Sequence, residues 1–183
     1  YPYRLLEYIS CPPPVLYMYG SYDILNHATF AIANSNKSPE PALNAGDAAC
    51  LKSLNAGETL ITGHNRPEYQ RPALVAKREG GRTCYILDRG ILEAFGGDLT
   101  RGLFPAARIW SPDFDPVCDL AISMFAPKDH SIANYNQKRD ELIFALADTI
   151  FTGHVTPGGQ MEKRVSESKA KGKRLERLLF ECS

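Results

Sequence analysis

The chain has 183 residues and a mass of 20.3 kDa, enough for one domain with a buried core and too little for two. Hydrophobic residues make up 44% and charged residues 23%, which excludes a disordered tail, a collagen-like repeat or a disulfide-dense miniprotein. Lys plus Arg (21) balances Asp plus Glu (21), so an anion site must come from local clustering and not from net charge.

The opening YPYRLLEYISCPPPVLYMYGSYDILNH places Pro12, Pro13 and Pro14 before an aromatic run, which predicts a short helix, a rigid turn and an extended pass. Residues 1–28 therefore read as an N-terminal extension and residues 29–183 as the main domain. From Thr29, β-prone runs alternate with amphipathic stretches. FAIANS precedes a helix from Pro41 to Asn55, TLITGH one from Pro67 to Glu79, and TCYILD a short segment from Gly90. ARIWS is then followed by an amphipathic stretch from Pro116 to Phe125, and a helix near Asn134 to Ala147 leads into TIFTGHV. In the first of these helices Ser38 is the expected cap, and Ala42, Ala45, Ala49, Leu51 and Leu54 the expected apolar stripe. Met161 to Ser183 is locally basic, and LERLLFE within it reads as a final strand or a dimerising helix. Strands interleaved with helices predict an α/β fold, an open and mostly parallel sheet with helices on both faces.

In such a sheet, ligands gather outside the carboxyl ends of the strands. Here those ends read Asn34 and Ser35; Thr62, Gly63, His64, Asn65 and Arg66; Asp88, Arg89 and Gly90; Ser111; then His154, Thr156, Pro157, Gly158 and Gly159. Glycines admit close backbone approach, and amides at a following helix start hold a phosphate or carboxylate. Arg66, Arg71, Lys77, Arg78 and Arg82 outnumber Glu68 and Glu79 around the second of these strands, with Tyr69 available to stack on a base. The chain has no G-x-G-x-x-G after the first strand, no G-x-x-x-x-G-K-[ST], no G-x-S-x-G and no His pair at i, i+4. Cys11, Cys50, Cys84, Cys118 and Cys182 form no C-x-x-C pair. No metal, cofactor or catalytic set is expected, and a reducing cytoplasm is the expected compartment. No stretch reaches the roughly 18 apolar residues of a membrane span, so no membrane partner is expected.

Taken in order, these residues resemble the DNA-processing protein A family, also called DprA or Smf, within the Rossmann-like superfamily that also holds the lysine-decarboxylase-like phosphoribohydrolases. YPYRLLEYISCPPPVLYMYG resembles the family's Y-P-x-x-L, Pro-rich turn and L-Y-x-x-G. FAIANSNKS stands where it has a strand and G-S-R, TGHNR resembles S-G-x-A-R, and EGGRTCYILDRGI its G-G-x-T-x-x-V-L-x-x-G-x. RDELIFALADTIF resembles R-N-R-I-I-A-x-L-S, and TPGGQMEKRV the closing glycine turn. The resemblance implies a non-enzymatic homodimer that binds single-stranded DNA and loads a RecA-type recombinase. It also implies phosphate or nucleic-acid contacts at Ser35, Thr62, Gly63, Arg66, Arg71, Arg139, Gly158 and Gly159. The chain departs from the family at Asn34 for glycine, Asn36 for arginine, PEY after Arg66, and Asp140 and Glu141 in the late motif. The alternative is a small-nucleotide-binding protein or a phosphoribohydrolase-like nucleotide N-glycoside hydrolase. Against hydrolysis, Glu162 stands three residues early for that motif and Val165 occupies the corresponding position.

Overall fold

The computed structural model describes residues 1–99, 113–132 and 134–180. The expected ARIWS strand and Ser111 lie outside them. In chain order the elements are α1 (Tyr3–Tyr8), β1 (Tyr17–Gly20), a 3-10 turn (Tyr22–Asn26), β2 (Thr29–Ala33), α2 (Glu40–Asn55), β3 (Thr59–Gly63), α3 (Pro67–Arg78) and β4 (Thr83–Ile86). They continue with α4 (Ile91–Ala94), β5 (Asp119–Ser123), α5 (Tyr135–Leu146), β6 (Thr149–Thr152), α6 (Gln160–Ala170) and β7 (Arg174–Arg177).

Among the described residues the strands form one seven-stranded sheet in the order β1-β5-β4-β3-β2-β6-β7. All neighbours are parallel except the antiparallel edge pair β1–β5. The Rossmann-like α/β architecture expected from the sequence is therefore the one observed. Each of β2 to β5 is buried along its whole length, because helices cover both faces and no position is left for polar alternation. Successive residues serve opposite layers: Phe30, Ile32 and Leu60 pack with Ala49, Cys50 and Ala76 of α2 and α3. Ala31, Ala33 and Ile61 pack with Leu142, Ile143 and Leu146 of α5 and with Leu5 and Tyr8 of α1. Arg4 holds α1 in place, donating to Asp148 at 2.8 Å and to the Leu25 carbonyl at 2.7 Å.

Three local expectations are corrected. The stretch from Pro116 to Phe125 is not helical, for its centre is strand β5, paired with β4 and β1. A short apolar run buried on both faces has no period that separates it from a buried helix. Ser38 does not cap α2; its hydroxyl donates to the Ser35 carbonyl at 2.7 Å, and Pro39 occupies the cap position. The buried face of α2 is Ala42, Gly46, Ala49, Cys50 and Ser53, while Leu51 faces solvent. Small residues let this helix lie close on the sheet, and a Cβ at Gly46 would stand 3.2 Å from Ile32 Cγ2.

LERLLFE supplies β7 in place of a dimerising helix, and Leu175 and Leu178 pack inward against the two layers. Leu179 is 87% exposed. No helix among the described residues is long and apolar enough to cross a membrane.

Candidate nucleic-acid interface

Chain order runs outward from β2 through β3 and β4 to β5, then returns to the other side of β2 with β6. The reversal lies between the carboxyl ends of β2 and β6, the position at which open α/β sheets take ligands. Two loops meet there. Asn34 Oδ1 accepts the His154 N–H at 2.9 Å, the Ser35 N–H donates to the His154 carbonyl at 2.7 Å, and Ser35 Oγ accepts the Thr156 N–H at 2.8 Å. Asn34 and Ser35 are buried by this lacing. The Asn34 side chain lies so close to Gly153 that any Cβ there would overlap its Oδ1.

Beyond the lacing, the β6 loop turns at Gly158, which takes φ +73° with open space around it. Its N–H donates to Glu162 Oε2 at 2.7 Å, and the Gly159 N–H donates to the Thr156 carbonyl at 3.1 Å. Both glycine amides thus have internal acceptors. The groups at this turn left for an anion are the first-turn N–H groups of α6, which by helix geometry have no intrahelical acceptor. On the other side of β2, the exposed Asn36–Lys37 turn has Lys37 in the left-handed region at φ 60°. The Lys37 N–H donates to Glu68 Oε1 at 2.9 Å.

The β3 loop carries Thr62, Gly63 and Arg66. The Thr62 hydroxyl donates to the Tyr69 carbonyl at 3.0 Å, closing the strand onto α3. Gly63 lies against the Tyr69 ring, where a Cβ would come within 2.7 Å of Cδ2. Tyr69 is therefore a buried packing residue, with burial pushing its hydroxyl well above the ordinary phenol range. Arg66 sits half-buried at the cap position of α3.

The three arginines expected at the site have different surroundings. Arg71 faces α2, where it donates to Asp47 at 2.8 Å, Glu40 at 2.8 Å and Asn44 at 2.6 Å. Arg139 is fully buried, with its guanidinium 4.8 Å from the Tyr69 ring centre and paired with Asp140 at 2.7 Å. It also donates to Asn65 and, at 2.9 Å, to Asn136. Burial alone would lower the Arg139 pKa, but Asp140 and Tyr69 outweigh it and hold it above the ordinary value. Arg66 alone of the three forms no ion pair among the described residues. The structure therefore brings Ser35, Gly158 and Gly159 to the adjoining loops at the β2 and β6 strand ends, and Thr62, Gly63 and Arg66 to the neighbouring strand end. Arg139 reaches that loop from within the protein, through Asn65.

A buried polar group lies behind the β3 loop, built from His64, Asn65 and Asp88 of the strand ends. His64 Nε2 is 3.3 Å from Asp88 Oδ1; Arg89 donates to Asp88 Oδ1 at 3.1 Å, Ser131 to Oδ2 at 3.1 Å, and Asn65 also donates to Oδ2. Burial drives the His64 imidazole below its ordinary range, overcoming Asp88 and leaving it neutral at neutral pH. Burial would raise the Asp88 carboxyl, but the Arg89 and Arg139 guanidiniums hold it below the ordinary carboxylate value. Asp88 and Arg89 are legible as polar residues after a strand; the burial of Asp88 against His64 depends on tertiary packing and has no local signal.

No family model and no curated protein matches the sequence. Among solved structures, the chain is similar to DNA processing protein A of Streptococcus pneumoniae, with a TM-score of 0.79 and 16% identity, covering 97% of this chain and 59% of that one. It is similar to DNA processing protein A of Helicobacter pylori, studied for its single-stranded DNA binding mode, with a TM-score of 0.78 and 14% identity over 100% of this chain and 80% of that one. A molybdenum cofactor binding protein from Rippkaea orientalis superposes less well, with a TM-score of 0.55 and 12% identity over 82% of this chain. The chain thus spans less than two thirds of the Streptococcus protein. From its first helix to its last strand, it has the Rossmann-like fold of DNA processing protein A.

Proposed function

We propose that the chain binds single-stranded DNA across the loops at the carboxyl ends of β2, β3 and β6. Arg66 and Lys37 contact phosphates on one side, and the first-turn amides of α6 contact them on the other. The observation that carries this reading is Arg66, a half-buried cation at a strand end with its guanidinium free of ion pairs among the described residues. A guanidinium left unpaired offers its fork of donors to a phosphate. The whole-chain likeness to two DNA processing proteins supports the same reading.

Within it, Ser35, Thr62, Gly63, Gly158 and Gly159 shape the backbone that surrounds the ligand. Arg139 braces the β3 loop from within the protein through Asn65 and makes no phosphate contact itself. Arg71 joins α2 to α3 and contacts phosphate only if it leaves Asp47 and Glu40. We also assign to this chain self-association into a homodimer and partnership with a RecA-type recombinase, both resting on the sequence resemblance. The small-nucleotide reading keeps one supporting observation: the cations offered at these loops are few, Arg66 and Lys37 beside a single helix start, as one mononucleotide requires. Binding isotherms of wild type and Arg66→Ala with oligonucleotides and with mononucleotides separate the two readings.

A further inference from the structure

Glu68 is 7% exposed, and its two carboxylate oxygens have different surroundings. Oε1 accepts the Lys37 N–H at 2.9 Å, whereas Oε2 is buried without any hydrogen-bond partner. A buried acceptor left unsatisfied is costly, and few native structures keep one without a reason. The position is specific: Glu68 lies two residues after Arg66, in the first turn of α3, and contacts the exposed turn that follows β2. A ligand whose phosphate lies on Arg66 and Lys37 therefore brings its next chemical group close to this carboxylate.

We propose that Glu68 is a base-reading residue, its free oxygen accepting hydrogen bonds from the amino-bearing edge of a nucleobase, guanine foremost. This rests on the nucleic-acid reading of the same site. A carboxylate only accepts, so it selects edges that donate. Guanine presents N1–H and the N2 amino group side by side, and a carboxylate receives both at once. Thymine presents one N–H between two carbonyl oxygens, each repelled by the same carboxylate. Access requires the Asn36–Lys37 turn to shift, which breaks the Lys37 hydrogen bond and frees Oε1 beside Oε2 for the two guanine donors. Base contacts of this kind add sequence preference to phosphate contacts that carry none.

The test compares a thymine tract carrying spaced guanines with the same tract carrying hypoxanthine, which lacks only the N2 amino group. Wild type is expected to bind the guanine tract about three- to tenfold more tightly. Glu68→Gln retains an oxygen for the Lys37 N–H but replaces the second acceptor by a donor, so the ratio should fall to about one, and affinity for the plain thymine tract should not fall because the charge that repels its carbonyl oxygens is gone. A wild-type ratio of one, or a ratio unchanged in Glu68→Gln, overturns the proposal and leaves Glu68 as a tether for the turn. If no tract binds, the DNA reading fails separately, and the ratio is read on dGMP against dIMP. A preference for dGMP lost in Glu68→Gln sustains the role of Glu68, and equal or absent binding of the two overturns it.

Discussion

Asn34 Oδ1 accepts the His154 N–H at 2.9 Å and so joins β2 to β6 where the chain reverses direction across the sheet. The bond requires glycine at 153, because any Cβ there would overlap Asn34 Oδ1. Gly153→Ala should therefore destabilise the fold by about 1–3 kcal/mol through overpacking. In an Asn34→Ala background the same change should cost clearly less, a coupling of about 0.5–3 kcal/mol in urea unfolding of the four proteins. Additive costs would show that the two residues do not compete for one space.

Arg139 gives a second prediction, about stability. Removing a fully buried guanidinium leaves Asp140 and Asp88 without their compensating charge, and Arg139→Met should cost about 3–5 kcal/mol. The folded fraction of that variant should bind oligonucleotides within a few-fold of wild type. A large affinity loss with unchanged stability would instead make Arg139 a direct phosphate contact.

Acid stability should depend on Asp148. Burial would raise its carboxyl, but Arg4 and Thr29 outweigh that and hold it below the ordinary value. Because the folded pKa is the lower one, the contribution is present above the unfolded value of about 3.9 and is lost as pH falls from there through the folded value. Wild type should thus lose Tm as pH drops below about 4. Asp148→Asn should start from a lower Tm and show a shallower loss over that window, keeping the part owed to Asp88. Parallel curves would contradict this account.

Self-association is expected to use the edge of the sheet at β7, where Leu179 stands exposed beside a strand paired on one side only among the described residues. Sedimentation should show a dimer at micromolar concentration that Leu179→Glu weakens. A monomer at high micromolar concentration would remove the homodimer from the account.

The sequence made some of this legible and hid the rest for physical reasons. α3 could be bounded to within a residue because Pro67 opens it and Glu79-Gly80 closes it, local signals independent of packing. β5 could not, because DLAIS carries no period once both its faces are covered. The strand-end residues stood out as a group because parallel sheets place their polar loops at one edge, and Ser35, Gly63 and Gly158 do fall on that edge. Which arginine stays free is set by tertiary partners. Arg71 meets Glu40 and Asp47 across helices, and Arg139 meets Asn65 across 74 positions of chain. Nothing around Glu68 in the sequence distinguishes it from an ordinary first-turn acid.

The most direct test of the central claim is the salt dependence of oligonucleotide binding, measured for thymine strands of increasing length with wild type and Arg66→Ala. If single strands are the ligand, affinity should rise with length and log K should fall linearly with log salt, by about 0.7 for each phosphate contacted. Arg66→Ala should reduce that slope by about 0.7 and weaken binding of every sequence alike, on the order of 1.5–3 kcal/mol for one charged contact. Tight binding of a mononucleotide, with long strands bound weakly and indifferent to Arg66, would contradict the claim and assign the strand-end site to a small nucleotide.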